Sequence, residues 1–117
     1  MAELRVDGSE LVLHLTAAEH LEGVHGDLRA PLGAVRSAEV LEDAHESVGP
    51  SAGMKVGTRL PGVVEVATIY GPRKIFAAVH RDTPRGVRIV FEGASYDEWV
   101  VGCSDPEGVL GTLPLPR

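Results

Sequence analysis

Among 117 residues there is one cysteine, Cys103. That excludes an internal disulfide framework and any zinc site built on cysteines. No apolar run approaches the ~20 residues a spanning helix needs. The opening Met-Ala-Glu-Leu-Arg has none of the features of a signal peptide, so a cytoplasmic protein is expected. Positive charge is in deficit: the net charge is −6, which disfavours nucleic acid and anionic membrane, since both attract a positive field. Lysine is rarer still, two against nine arginines. With the abundant Ala, Gly and Val, that usage suggests a GC-rich bacterial genome. No internal repeat or low-complexity tract is present. Gly53, Gly57 and Gly62 lack the strand–loop–helix context and the Gly-Lys-Ser/Thr ending of a phosphate loop.

What is present is hydrophobic material, 44% of the chain. That is enough for one domain over 1–117, burying roughly two-thirds of the surface its unfolded form exposes. Much of it falls in short period-two runs. Val64 to Tyr70 is rich in β-branched residues, with a bulge expected near Thr68. Ile75, Ala77 and Val79 alternate with Lys74, Phe76, Ala78 and His80, and the first three are read as the inward side. Val87, Ile89 and Phe91 alternate in the same way, as do Trp99, Val101 and Cys103. Gly71-Pro72, Asp82 to Gly86 and Gly93 to Ser95 supply the turns. The expected result is a four-strand antiparallel meander, with Trp99 in its core and Tyr96 at the core edge.

Before the meander, Glu3 to Val6, Asp7-Gly8 and Leu11 to Leu15 read as a hairpin. Thr16 and Glu19 form a capping box for a short helix over Ala17 to Val24, ending at Gly26. Pro31 to Val35 fits one helical turn, followed by a strand from Val35 to about Glu42. Residues 43–62 have little periodicity and read as a long mobile loop, most mobile from Val48 to Lys55. After the meander, Asp105-Pro106-Glu107 starts a short helix: a capping Asp, Pro at the first position and an early acid. Residues 114–117 are read as a tail.

This order resembles the bacterial pleckstrin-homology-like (PH-like) family: an opening hairpin, the strand pair in GDLRAPLGAVRSAEVLED, a loop, four strands, then SDPEGVLGTL. The resemblance covers about Glu10 to Leu113. It implies a mainly β fold with minor α, in which two near-orthogonal antiparallel sheets form a PH-like barrel or roll closed by the C-terminal helix. In one respect the chain departs from the pattern. Gly108 and Gly111 weaken the closing helix by roughly 1 kcal/mol each relative to Ala, so the Ala17 to Val24 helix or a second subunit is expected to cover the barrel mouth. The family implies binding or scaffolding, not catalysis.

The residues themselves carry little chemistry. His20 and His25 are five apart, off the i, i+4 register that puts two ligands on one helix face. His45 sits beside Asp43 and Glu46 in the expected loop. All three read as polar surface histidines rather than as a metal-dependent enzyme. Cys103 has no sequence-local base and reads as a small core hydrophobe. No cofactor is expected. The feature that stands out is cationic: Arg73, Lys74, Arg81 and Arg85, with Arg88 beyond. Arg73/Lys74 and Arg81/Arg85 come from opposite ends of one strand, so they read first as a solvated basic rim, and otherwise as the candidate contacts for a partner or for an anionic ligand such as a phospholipid headgroup. The net charge does not favour the headgroup. The expectation is a non-catalytic binding or scaffold module that acts through protein contacts and self-association. The alternative is a carrier or binder of an anionic ligand.

Overall fold

Asp7 and Gly8 reverse the chain as the turn chemistry requires, with Gly8 at a φ of +62° where a side chain would be strained. The reversal joins β1 (Glu3–Asp7) to β2 (Glu10–His14), and β3 (Leu28–Pro31) pairs on the other side of β2. The computed structural model describes residues 3–15, 28–44, 54–60, 64–80 and 83–113, with the backbone alone at 55, 58–60, 64 and 65. The expected Ala17 to Val24 helix, His20, His25, His45, Arg81 and the 114–117 tail lie outside the described residues.

Leu32–Ala34 makes the single helical turn, η1, and leads into β4 (Val35–Leu41). Then come β5 (Met54–Leu60), β6 (Val64–Tyr70), β7 (Ile75–His80), β8 (Gly86–Phe91), β9 (Glu98–Gly102) and α1 (Pro106–Gly111). Together β1, β2 and β3 form a three-stranded sheet, and the other six strands form a second sheet in the order β4-β8-β9-β7-β6-β5. The protein is mainly β, as its periodicity indicates. Two sheets are present, as expected, but they share no ladder among the described residues and do not close into the expected barrel.

Sheet order also corrects the meander. Strands β7 and β8 are not neighbours; β9 lies between them, antiparallel to β8 but parallel to β7. Residues 81–85 make this possible. A connection that long reaches up to about 20 Å when extended, whereas two strands flanking a third lie only about 9.6 Å apart. Central placement suits β9, every residue of which is buried.

A buried cluster joins the two sheets. Leu11 and Leu13 of β2 and Leu28 of β3 meet Phe76, Ile89 and Trp99 of the larger sheet. Phe91 and Trp99 pack edge to face with centroids 4.7 Å apart, an arrangement worth about 0.5–1.5 kcal/mol beyond its buried area. Val79 is buried too, but not in this cluster. It lies with Ile75, Ala77, Ile69 and Val100 in a second one, while Phe76 and Ala78 turn to the first. Ile75, Ala77 and Val79 are thus buried as expected, and the opposite face of β7 is buried as well. Both faces of this central strand are covered, so its period says nothing about which is inside.

Two further expectations change. The ladders of β6 run without a register shift, and the irregularity lies between Val35 and Ser37 of β4 instead. Within 43–62, Met54–Leu60 is a strand and not loop. Gly57, which hid it, is needed there: its φ is +138°, and a Cβ would overlap the carbonyl oxygen of Val66. At the C-terminal end Asp105 caps α1 as its sequence requires, its Oδ1 accepting from the Gly108 N–H at 3.1 Å. A Cβ on Gly108 would collide with that same carboxylate. The glycine that weakens the helix also leaves room for its cap.

Candidate functional site: an exposed apolar strand pair beside a cationic turn

Among the described residues, the outer hairpin of the six-stranded sheet presents three exposed large apolar side chains, with Val6 of β1 a fourth elsewhere. Met54 of β5 stands directly opposite Tyr70 of β6, and Val56 opposite Thr68. Their exposures are 67% for Met54, 47% for Tyr70 and 43% for Val56. Burying such residues would be favourable, and a Met–Tyr–Val group at a sheet margin has the composition of a contact surface. Thr68, between them in sequence, is buried, its hydroxyl sharing a hydrogen bond with that of Tyr96 at 3.0 Å. That bond ties the margin to the interior.

The turn after β6 continues the surface. The Lys74 ammonium lies 4.6 Å from the Tyr96 ring centroid and 5.6 Å from that of Tyr70, a cation–π position over both rings. Its backbone is held by reciprocal bonds: the Lys74 N–H donates to Asp97 Oδ2 at 2.8 Å, and the Asp97 N–H donates to the Lys74 carbonyl at 2.8 Å. Arg73 donates to the Asp97 carbonyl at 3.3 Å and lies 3.7 Å from the Glu98 carboxylate. Glu98, nearly buried, is also approached by Arg88, at 3.5 Å from the same carboxylate oxygen, Oε1. Arg88 also reaches Glu39 of β4 at 2.9 Å.

Arg85 is elsewhere. It precedes β8, beyond the far end of β7 from Arg73 and Lys74, and a six-residue strand separates the two groups by about 20 Å. There it is held by Glu42, at 3.0 Å, and by Glu107 of α1. Those two carboxylates push the guanidinium pKa up, and Arg85 holds the Glu107 carboxyl below its usual range. Arg73 and Lys74 thus stand side by side and Arg85 lies apart from them at the other end of β7, as their places in the sequence indicate.

A cavity of about 500 Å³ opens between β1, the end of β9 and α1, lined by Leu4, Val101, Cys103 and Val109 with Asp105 and Thr112 among its polar members. Burial, then the charges of Asp105 and Glu107, push the Cys103 thiol up to about 11. At neutral pH it is a protonated thiol, the wrong form for a nucleophile. Among the described residues no helix is long and apolar enough to cross a membrane.

Met54 and Val56 are not among the residues the sequence singles out, because they fall within 43–62, where Gly and Pro obscure the periodicity. A signal was there: Met54, Val56, Thr58 and Leu60 alternate with Lys55, Gly57 and Arg59, interrupted only by Gly57. Comparison with known proteins finds no family model, curated protein or solved structure that matches this chain.

Proposed function

We propose that the chain is a non-catalytic binding or scaffold module, a PH-like domain of the bacterial cytoplasm that acts through protein contacts, including contacts with copies of itself. The observation that carries this reading is the exposed set of Met54, Val56 and Tyr70 on the outer hairpin, flanked by Arg73 and Lys74. Aromatic residues, Met and Arg are the types enriched where proteins meet. The alternative, an anionic ligand held by a basic turn, has less support, because Arg85 is already engaged by two carboxylates. Sedimentation of the native chain and of a Met54→Ser/Tyr70→Ser variant over a wide concentration range tests the contact surface. Association that weakens in the variant supports the reading. Unchanged association would remove this surface from it.

A further inference from the structure

The geometry points to a head-to-tail contact between copies of this chain, in which β5 of one copy pairs antiparallel with β1 of the next. This rests on the self-association proposed above and gives it a surface and a register. Among the described residues both are outer strands, β5 of the six-stranded sheet and β1 of the three-stranded one. An outer strand carries a row of backbone donors and acceptors that another strand can complete. Each also exposes a valine, Val56 at 43% and Val6 at 45%.

The two sequences fit in one antiparallel register. With Val56 opposite Val6, Lys55-Val56-Gly57-Thr58-Arg59 runs against Asp7-Val6-Arg5-Leu4-Glu3. Cation then stands opposite acid at both ends, Lys55 with Asp7 and Arg59 with Glu3. The one remaining cation, Arg5, falls opposite Gly57, which has no side chain. The register uses the whole of β1. Opposite charges across a strand pair favour pairing, and like charges oppose it.

The full-length self-pairings lack this match. Two β5 strands centred on Gly57 oppose Lys55 and Arg59 twice. Two β1 strands centred on Arg5 oppose Glu3 and Asp7 twice. The present partners of the β1 acids are no obstacle: Glu3 pairs with Arg5, and Asp7 with Arg29 at 3.5 Å, all through exposed side chains. Such pairs hold weakly and exchange readily. Because unlike edges meet, the contact does not close on itself by two-fold symmetry, and it builds rings or open chains.

Light scattering at low salt, with concentration raised stepwise, tests the contact through two charge-reversed chains, Lys55→Glu/Arg59→Glu and Glu3→Lys/Asp7→Lys. The native mass should climb without levelling at a dimer. Each reversed chain alone should associate about tenfold more weakly or worse. An equimolar mixture of the two should recover, since every β5–β1 meeting between them is again cation to acid. Circular dichroism checks that both fold; Glu3 and Asp7 are exposed, so their variant carries the test alone if the other does not. Native association that survives both reversals but still needs Met54 and Tyr70 would overturn the edge pairing and leave the proposed contact surface standing. A native chain that stays monomeric throughout would overturn self-association itself.

Discussion

The hydroxyls of Thr68 and Tyr96 meet at 3.0 Å inside the protein, joining β6 to the turn that precedes β9. Neither hydroxyl is replaceable without consequence to the other. Tyr96→Phe leaves the buried Thr68 hydroxyl without this partner, and should cost about 1–3 kcal/mol. Thr68→Val should cost a similar amount, while the double variant should cost less than the sum of the two. Urea unfolding of all four proteins measures the coupling; strict additivity would mean that the bond contributes nothing.

Glu98 is the next point of strain if altered. Its carboxylate is nearly buried and lies within 3.7 Å of Arg73 and 3.5 Å of Arg88. Glu98→Gln keeps the shape and removes the charge. Full burial of such a pair would make the loss 3–5 kcal/mol, but both arginines reach solvent, so about 1–2 kcal/mol is expected. Thermal unfolding should register it, and the deficit should persist at high salt because the carboxylate itself is shielded from ions.

Arg85 and Glu107 predict a titration. The Glu107 carboxyl is held below its usual range by the Arg85 guanidinium. A depressed folded pKa means that the pair's contribution is complete above the ordinary carboxylate range and is lost as pH falls through the lowered folded value. Side-chain NMR should place the Glu107 midpoint below that of a free glutamate, and Arg85→Gln should raise it toward the usual range, the backbone hydrogen bond keeping part of the depression. Added salt should narrow the difference, since both groups are exposed.

Cys103 should be slow to alkylate. A thiol pushed up from 9.0 to about 11 has about a hundredfold less thiolate at pH 8 than an unshifted one. The iodoacetamide rate should keep rising past pH 10, whereas the unfolded chain levels earlier. The sign for stability follows: between pH 9.0 and about 11 the unfolded chain releases this proton first, so the fold loses stability as pH rises. Cys103→Ser should remove that part of the alkaline loss.

Gly57→Ala should loosen the outer strand. The backbone there sits at a φ of +138°, and the added methyl would meet the Val66 carbonyl. Residues forced into such conformations cost on the order of 1–3 kcal/mol. Hydrogen exchange should show the loss concentrated in Met54–Leu60 and β6, with β8 and β9 keeping their protection.

How much of this was legible depends on the range of each signal. Asp7-Gly8, the η1 turn after Pro31 and the cap on α1 were readable because each is decided within a few residues, by a turn's φ or a helix's first N–H groups. Strand β5 was missed because Gly57 breaks its alternation, and the reason for that glycine lies across the sheet at Val66. Val79 was legible as buried, but not that Phe76 and Ala78 on the other face are buried too, since Ile-Phe-Ala-Ala-Val is apolar on both faces. The separation of Arg85 from Arg73 and Lys74 was legible, since the strand between them fixes it, but the carboxylates that hold Arg85 were not, because Glu42 and Glu107 are distant in sequence.

By itself the sequence determined that this is a β-rich chain, where most of its strands lie, how its first hairpin turns and where its last helix begins. Period two, Gly and Pro act locally, and no distant contact is needed to interpret them. The tertiary structure alone decided that β9 inserts between β7 and β8, that β7 is covered on both faces and that Met54, Val56 and Tyr70 are left outside. A connection such as 81–85 is long enough to allow either neighbour, so the choice falls to burial: Trp99, Val100 and Val101 lose the most water in the middle of the sheet.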